Sequence, residues 1–333
     1  MITANTELLH TPRWRRELAE AIVEPAELLT SLRLPVSLAD DTAKRHFPLR
    51  VPRGYVQRME PGNRCDPLLL QVLPQAAETR SVEGYHTDPV GDLGSMVLPG
   101  VIHKYRGRVL LVATGACAIH CRYCFRRHFP YGEANPRRGE WMDALSYIAS
   151  DPSVEEVILS GGDPLLLPDE RLARLAEELE RIAHLRRLRI HTRLPVVLPS
   201  RVDDGLRSWM ERGRLQKVVV VHANHPNELD GTVHRAMAEL AASGATLLNQ
   251  SVLLRGVNDM AEVLCELSEQ LFAMGVMPYY LHLLDKVEGA AHFEVSETAA
   301  FSLMDELRSR LPGYLVPRLV REEKGMPAKT PRC

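Results

Sequence analysis

Residues 108–124 read RVLLVATGACAIHCRYC. The first seven hold a five-residue apolar run, VLLVA, in the manner of a buried strand. That strand runs straight into a loop with three cysteines, Cys117, Cys121 and Cys124, at spacings of four and three. Five more strand-like runs follow: EEVILS (155–160), RLRIHT (187–192), KVVVVH (217–222), ATLLNQ (245–250) and MPYYLH (277–282). Helical patterns separate them. DERLARLAEELERIAHL puts Leu172, Leu175, Leu179 and Ile182 on one face, with Asp169 as N-cap. GEWMDALSYIASD has the same texture, and glycine stops GTVHRAMAELAASG and MAEVLCELSEQLFAMG. Strand-then-helix units predict parallel strands joined by right-handed crossovers. The expected fold is α/β, a partial six-unit TIM-like barrel; a flat doubly wound sheet is the alternative. The runs are apolar throughout, as expected of strands covered on both faces.

The unusual residues fall just past the strands. The runs lead in turn into GACAIHCRYC, SGGDP, HTRLP, HANHPNE, NQSVLLRGVND and HLLDKVEG. In barrel enzymes the chemistry sits at the C-terminal ends of strands, so these segments define one candidate site.

Residues 1–95 read as an N-terminal extension of short helices and loops. WRRELAEAIVEPAELLTSL has helical spacing, Pro-containing breaks follow, and MEPGNRCDPLLLQVLP suggests a turn and a short helix. The expected division is this extension, a core barrel over 96–290 and a C-terminal segment over 291–333. The chain has 333 residues, 45% of them apolar, and a formal net charge of -2. That suits a sizeable core and gives no global pull towards nucleic acid or membrane. No apolar run approaches a membrane span, and the first residues lack a signal-peptide core. A cytoplasmic protein is expected. In that reducing setting the cysteine trio points to metal rather than to disulfides. Cys65 and Cys265 stand alone and read as packing residues.

Three thiolates can hold three irons of a 4Fe–4S cluster and leave the fourth open to a small ligand. A zinc site completed by His120, His128 or a distant histidine is the alternative, which would make the chain a zinc-stabilised binding module. SGGDP (160–164) taken alone is a glycine turn.

The CxxxCxxC spacing, with Tyr123 before the last cysteine, resembles the radical S-adenosylmethionine (SAM) family. CFRRHF, RLPVVLPSR, HANHPNE, NQSVLLRGVND and PYYLHLLD together resemble its lysine 2,3-aminomutase branch, across roughly residues 45 to 330. The resemblance implies a radical SAM barrel and three cofactors: a 4Fe–4S cluster, SAM on its open iron, and pyridoxal 5′-phosphate (PLP). It implies an isomerase that moves an amino group from C2 to C3 of an amino acid. A radical SAM enzyme acting on another amino acid or on a macromolecule is the alternative.

The resemblance also assigns roles. Tyr123, Gly161, Gly162, Asp163, His222 and Gln250 fall where SAM is met. The PLP lysine is Lys329, with Lys324 as the fallback. Lys104, Tyr105 and Arg108 lie near PLP in relatives. Arg126 matches the arginine that receives the substrate carboxylate, a planar fork suited to it. Asp285 matches an aspartate that holds the side-chain ammonium of lysine. Glu322 stands where its aspartate partner is usual, which is a departure. Two acids still suit a basic side chain, since a desolvated ammonium needs opposite charge. Short members with a stretch like FPLRVPRGYVQRMEPGNRCDPLL make (R)-β-lysine for elongation factor P. That implies a functional link to this factor and its lysyl ligase. A flavodoxin or ferredoxin as electron donor and a homo-oligomer are further expectations. The chain is expected to lack the zinc-binding C-terminal extension of clostridial members.

Overall fold

The computed structural model describes residues 11–134 and 141–332. Ten strands form one sheet in chain order. They are β1 (Met96–Leu98), β2 (Val101–Tyr105), β3 (Arg108–Thr114), β4 (Glu156–Gly161), β5 (Arg187–Thr192), β6 (Gln216–Val221), β7 (Thr246–Val252), β8 (Met277–His282), β9 (Arg318–Arg321) and β10 (Thr330–Pro331). From β3 to β9 every neighbouring pair is parallel. At the two edges β1 and β2 extend the sheet antiparallel from β3, and β10 extends it from β9. Those two edges do not pair, so the barrel is open.

Six helices carry the crossovers: α1 (Trp141–Ser150), α2 (Asp169–Glu180), α3 (Asp204–Met210), α4 (Gly231–Ala242), α5 (Ala261–Ala273) and α6 (Glu297–Arg310). The six expected strands are β3 to β8. The sixth crossover delivers a seventh parallel strand, β9, which the sequence reading left out. Helix starts follow capping chemistry. Asp230 accepts from the N–H groups of Thr232 and Val233 at α4, and Ser296 from Ala299 at α6. Asp169 differs from its expected role as a cap: it is the first helical residue of α2, and its carboxylate takes the Arg201 guanidinium at 2.6 Å.

The strands are not apolar on both faces. Val109, Leu111, Val157, Leu159, Leu188, Ile190, Val219 and Val221 face the helices in one buried core. Their alternates, including Ser160, Arg189, His191, Gln250, Tyr280 and His282, line a cavity inside the barrel. Period two assigns each face its own chemistry. Leu172, Leu175 and Leu179 of α2 pack into the same core, each worth roughly 1.5–3 kcal/mol by burial.

The extension joins that core through Leu28, Leu29, Tyr55, Leu68 and Leu69. It also grips the cysteine loop by backbone. Arg122 N–H donates to the Gln71 carbonyl at 2.9 Å and His120 N–H to that of Arg50 at 3.0 Å. No helix among the described residues is long and apolar enough to cross a membrane.

Candidate active site

The strand ends open on a cavity of about 310 Å³. Lining it are Cys117, Cys121, Cys124, Tyr123, Gly161, Gly162, Asp163, His222, Gln250, Arg126, Asp285, Glu322, Lys104, Tyr105, Arg108 and Lys329, whereas the fallback Lys324 is not in the lining. Residues far apart in the chain thus share one cavity.

The cysteine loop follows β3. Burial pushes the Cys117 thiol up, with further contributions from Cys124, Asp163 and Cys121. Burial and Cys121 push Cys124 up to about 11. Among the described residues no three His, Cys, Asp or Glu side chains converge as ligands of a single ion. Three cysteines of one loop line the cavity, a donor set that fits a cluster, in which each thiolate serves a different iron. Arg122 anchors the loop from beneath. It is wholly buried, and its guanidinium meets Glu78 at 2.5 Å and the Phe47 carbonyl at 2.6 Å. Arg127 reaches the same carboxylate at 2.9 Å.

The SGGDP turn has a tighter structural job than expected. Gly161 sits at φ +113, and a Cβ there would lie 2.6 Å from the Thr114 carbonyl oxygen. A Cβ on Gly162 would overlap the Ala116 carbonyl in the cysteine loop. The glycines let β4 press against that loop. Asp163 accepts two contacts from the Thr192 hydroxyl at 2.7 and 3.0 Å. It also accepts from the N–H groups of Arg193 at 2.7 Å, Leu194 at 3.1 Å and Leu165 at 3.1 Å. With four donors on its oxygens, this carboxylate locks the ends of β4 and β5.

Tyr123 and His222 stack at 5.7 Å, and the phenol meets His222 Nε2 at 2.9 Å. Asn224 donates to the same phenol at 2.8 Å. Burial and Arg193 hold His222 down at about 3, so its imidazole is neutral.

The other wall is a chain of alternating charge. Arg126 Nε donates to Asp92 at 2.7 Å and its Nη1 to the Ser160 hydroxyl at 3.0 Å. Asp92 also takes Lys104 Nζ at 2.5 Å. Lys104 donates onward to Glu322 at 2.9 Å and to the Val90 carbonyl at 2.9 Å. Glu322 then accepts from Lys329 Nζ at 2.6 Å. Burial opposes the charges of Asp92, Lys104, Arg126 and Glu322, and the partners override it. Lys329 and Lys104 hold Glu322 well below the usual carboxylate range, and Glu322 and Asp92 keep Lys104 above the usual ammonium range. Lys104 places its three donors on Asp92, Glu322 and the Val90 carbonyl while lining the cavity. Arg108 lies over the Tyr105 ring at 4.7 Å, with both on the cavity wall.

Buried polar atoms in this wall that lack partners among the described residues include Asp285 Oδ1, His191 Nε2 and the Tyr105 hydroxyl. Burial first and Glu322 second raise Asp285 from 3.8 to about 7. A buried donor or acceptor left unpaired costs free energy, so such atoms mark where a ligand belongs. Lys329, Tyr105, Arg108 and these atoms form a set that fits a carbonyl-bearing phosphorylated cofactor beside a cationic substrate. Asp92, Arg193, His191 and His282 were missed by the sequence reading. HTRLP pointed to Arg193 by its position after a strand, but nothing near Asp92 marked it out.

Residues 111–259 match the radical SAM superfamily. Over 334 positions the chain is 50% identical to the L-lysine 2,3-aminomutase of Escherichia coli K12, covering 98% of this chain and 97% of that one. It is 50% identical over 319 positions to the protein of that name from Haemophilus influenzae, covering 95% and 94%. It is 34% identical over 321 positions to that of Clostridium subterminale, covering 96% of this chain and 77% of the relative.

Proposed function

Since this chain belongs to the L-lysine 2,3-aminomutase family of radical SAM proteins, we propose that it converts (S)-α-lysine to (R)-β-lysine, an isomerisation that moves the amino group from C2 to C3. Bound together, the 4Fe–4S cluster and SAM supply a radical able to take hydrogen from C3, and PLP supplies a π-system that carries the migrating nitrogen. Everything else is placement by this chain.

Cys117, Cys121 and Cys124 hold the cluster. Tyr123, His222, Gln250 and the Gly161–Gly162 turn wall the SAM side, and neutral His222 offers a hydrogen bond without adding positive charge. Lys329 is the lysine that holds PLP, with Tyr105 and Arg108 on the same wall. Arg126 takes the substrate carboxylate: Asp92 holds its Nε and Ser160 its Nη1, leaving Nη2 without a partner among the described residues.

The observation that carries the substrate class is Asp285. A buried carboxyl with an unpaired oxygen beside Glu322 suits an incoming ammonium. Ionised, it would neutralise the ε-ammonium of lysine, while an acidic side chain would be repelled. An amino acid without a side-chain cation would leave the oxygen unpaired, which argues against other substrates. The product's destination is the lysyl ligase that modifies elongation factor P, a link supported by the short-member resemblance. A flavodoxin or ferredoxin would deliver the electron. The test is anaerobic turnover: reconstituted protein with SAM, PLP and reductant should form β-lysine from lysine, and no β-amino acid from glutamate.

A further inference from the structure

The guanidinium of Arg193, just past β5, touches a cluster cysteine. It is 6% exposed. Its Nη1 donates to Cys121 Sγ at 2.7 Å. Its Nη2 donates to Gln71 Oε1 at 2.7 Å, to Glu228 Oε2 at 2.8 Å and to the Tyr55 hydroxyl at 3.2 Å. The plane lies between the rings of Tyr55 and Tyr123, 5.6 and 5.7 Å from their centroids. The backbone N–H of Arg193 is tied to Asp163 at 2.7 Å.

Glu228 is as firmly set. It is fully buried and accepts from the N–H groups of Asn224 at 2.9 Å and His225 at 3.2 Å. The guanidinium therefore cannot swing away from the cysteine loop without stranding Glu228. None of these contacts serves the substrate. A buried cation costs several kcal/mol to desolvate, and a hydrophobic contact would brace a loop at lower cost.

We propose that Arg193 is a positioning residue that sets the reduction potential of the cluster by acting through Cys121. This rests on the reading that Cys117, Cys121 and Cys124 hold that cluster. Reduction adds one electron to the cluster. A positive charge and an N–H donor at a ligand sulfur stabilise the added charge, so they raise the potential and ease reduction. Glu228 moderates this, because its carboxylate offsets part of the positive charge. The electron comes from a low-potential one-electron donor; dithionite serves in the test.

The experiment is a potentiometric titration of the reconstituted holoprotein, with the reduced cluster followed by electron paramagnetic resonance and iron and sulfide measured alongside. Arg193→Gln should lower the potential, cutting the reduced-to-oxidised ratio at a fixed poise about tenfold, or 59 mV for a one-electron couple. Arg193→Lys, which keeps the charge, should recover part of the loss. Glu228→Gln should shift the potential the other way. A purely structural role predicts that both neutral variants loosen the loop and shift in one direction. That outcome, or less than a twofold change in Arg193→Gln with its cluster intact, overturns the proposal. If Arg193→Gln retains no cluster, Glu228→Gln decides: an upward shift supports the proposal, and no shift or a downward one overturns it. A wild-type protein that assembles no cluster overturns the cluster reading itself, and this proposal with it.

Discussion

Replacing Asp285 with asparagine should trade activity for stability, and the structure gives the sizes. In the substrate-free site the carboxyl is raised from 3.8 to about 7, by burial and then by Glu322. The folded chain thus keeps this proton to higher pH than the unfolded chain does. The stability linked to it is present at low pH and is lost as pH rises from about 4 through about 7. At 1.36 kcal/mol per pH unit the loss is about 4 kcal/mol above neutrality. Asp285→Asn removes that loss. At pH 8 the lysine-free variant should therefore unfold at a higher temperature than the wild type, and near pH 4 the difference should vanish. Activity should move the other way. Stripping one partner from a buried, hydrogen-bonded charge pair costs about 2–5 kcal/mol. At kcat/KM that is roughly 30- to several thousand-fold. The wild-type kcat/KM should rise with pH towards neutrality as Asp285 ionises, and the variant should lose that rise. The assay is anaerobic β-lysine formation across lysine concentrations and pH, with thermal unfolding on the same samples. A kcat/KM within threefold of wild type, or a variant less stable at pH 8, would refute the reasoning.

Other perturbations follow from the same geometry. Glu78→Gln leaves Arg122 and Arg127 facing an amide in a buried site, and should destabilise the fold by about 3–5 kcal/mol in denaturant titrations; a loss below about 1 kcal/mol would contradict the anchoring role. Gly162→Ala places a methyl on the Ala116 carbonyl, so the cysteine loop must shift; iron content after reconstitution should fall well below wild type, and unchanged iron would show that the loop yields without cost. Borohydride reduction of the PLP-loaded protein should fix PLP on Lys329 by peptide mass spectrometry, and fixation on Lys324 or Lys104 would reassign the cofactor lysine.

Much of this site was legible because its parts sit at fixed offsets from strand ends. The run RVLLVAT followed by three cysteines marked both the first parallel strand and a loop that lines the cavity. What escaped was long-range or short. Asp92 reaches Arg126 across 34 residues, Glu78 reaches Arg122 across 44, and Arg193 reaches Cys121 across 72. Periodicity in one segment cannot show such pairs. β9 and β10 are four and two residues long, too short for an alternating pattern, and they form only because α6 and the following turn deliver them to the sheet edge. Asp163 has a second role that its motif did not show: it lines the cavity, and the backbone N–H groups after β5 hold its oxygens.

The central claim is that one cavity holds lysine by both ends while its nitrogen moves within the molecule. Reconstituted protein given lysine carrying 15N on the α-amino group tests it most directly. The account predicts β-lysine with the label retained on C3 and none in free ammonia. Product without the label, label released as ammonia, or no β-lysine from a preparation with intact cluster, SAM and PLP would contradict it.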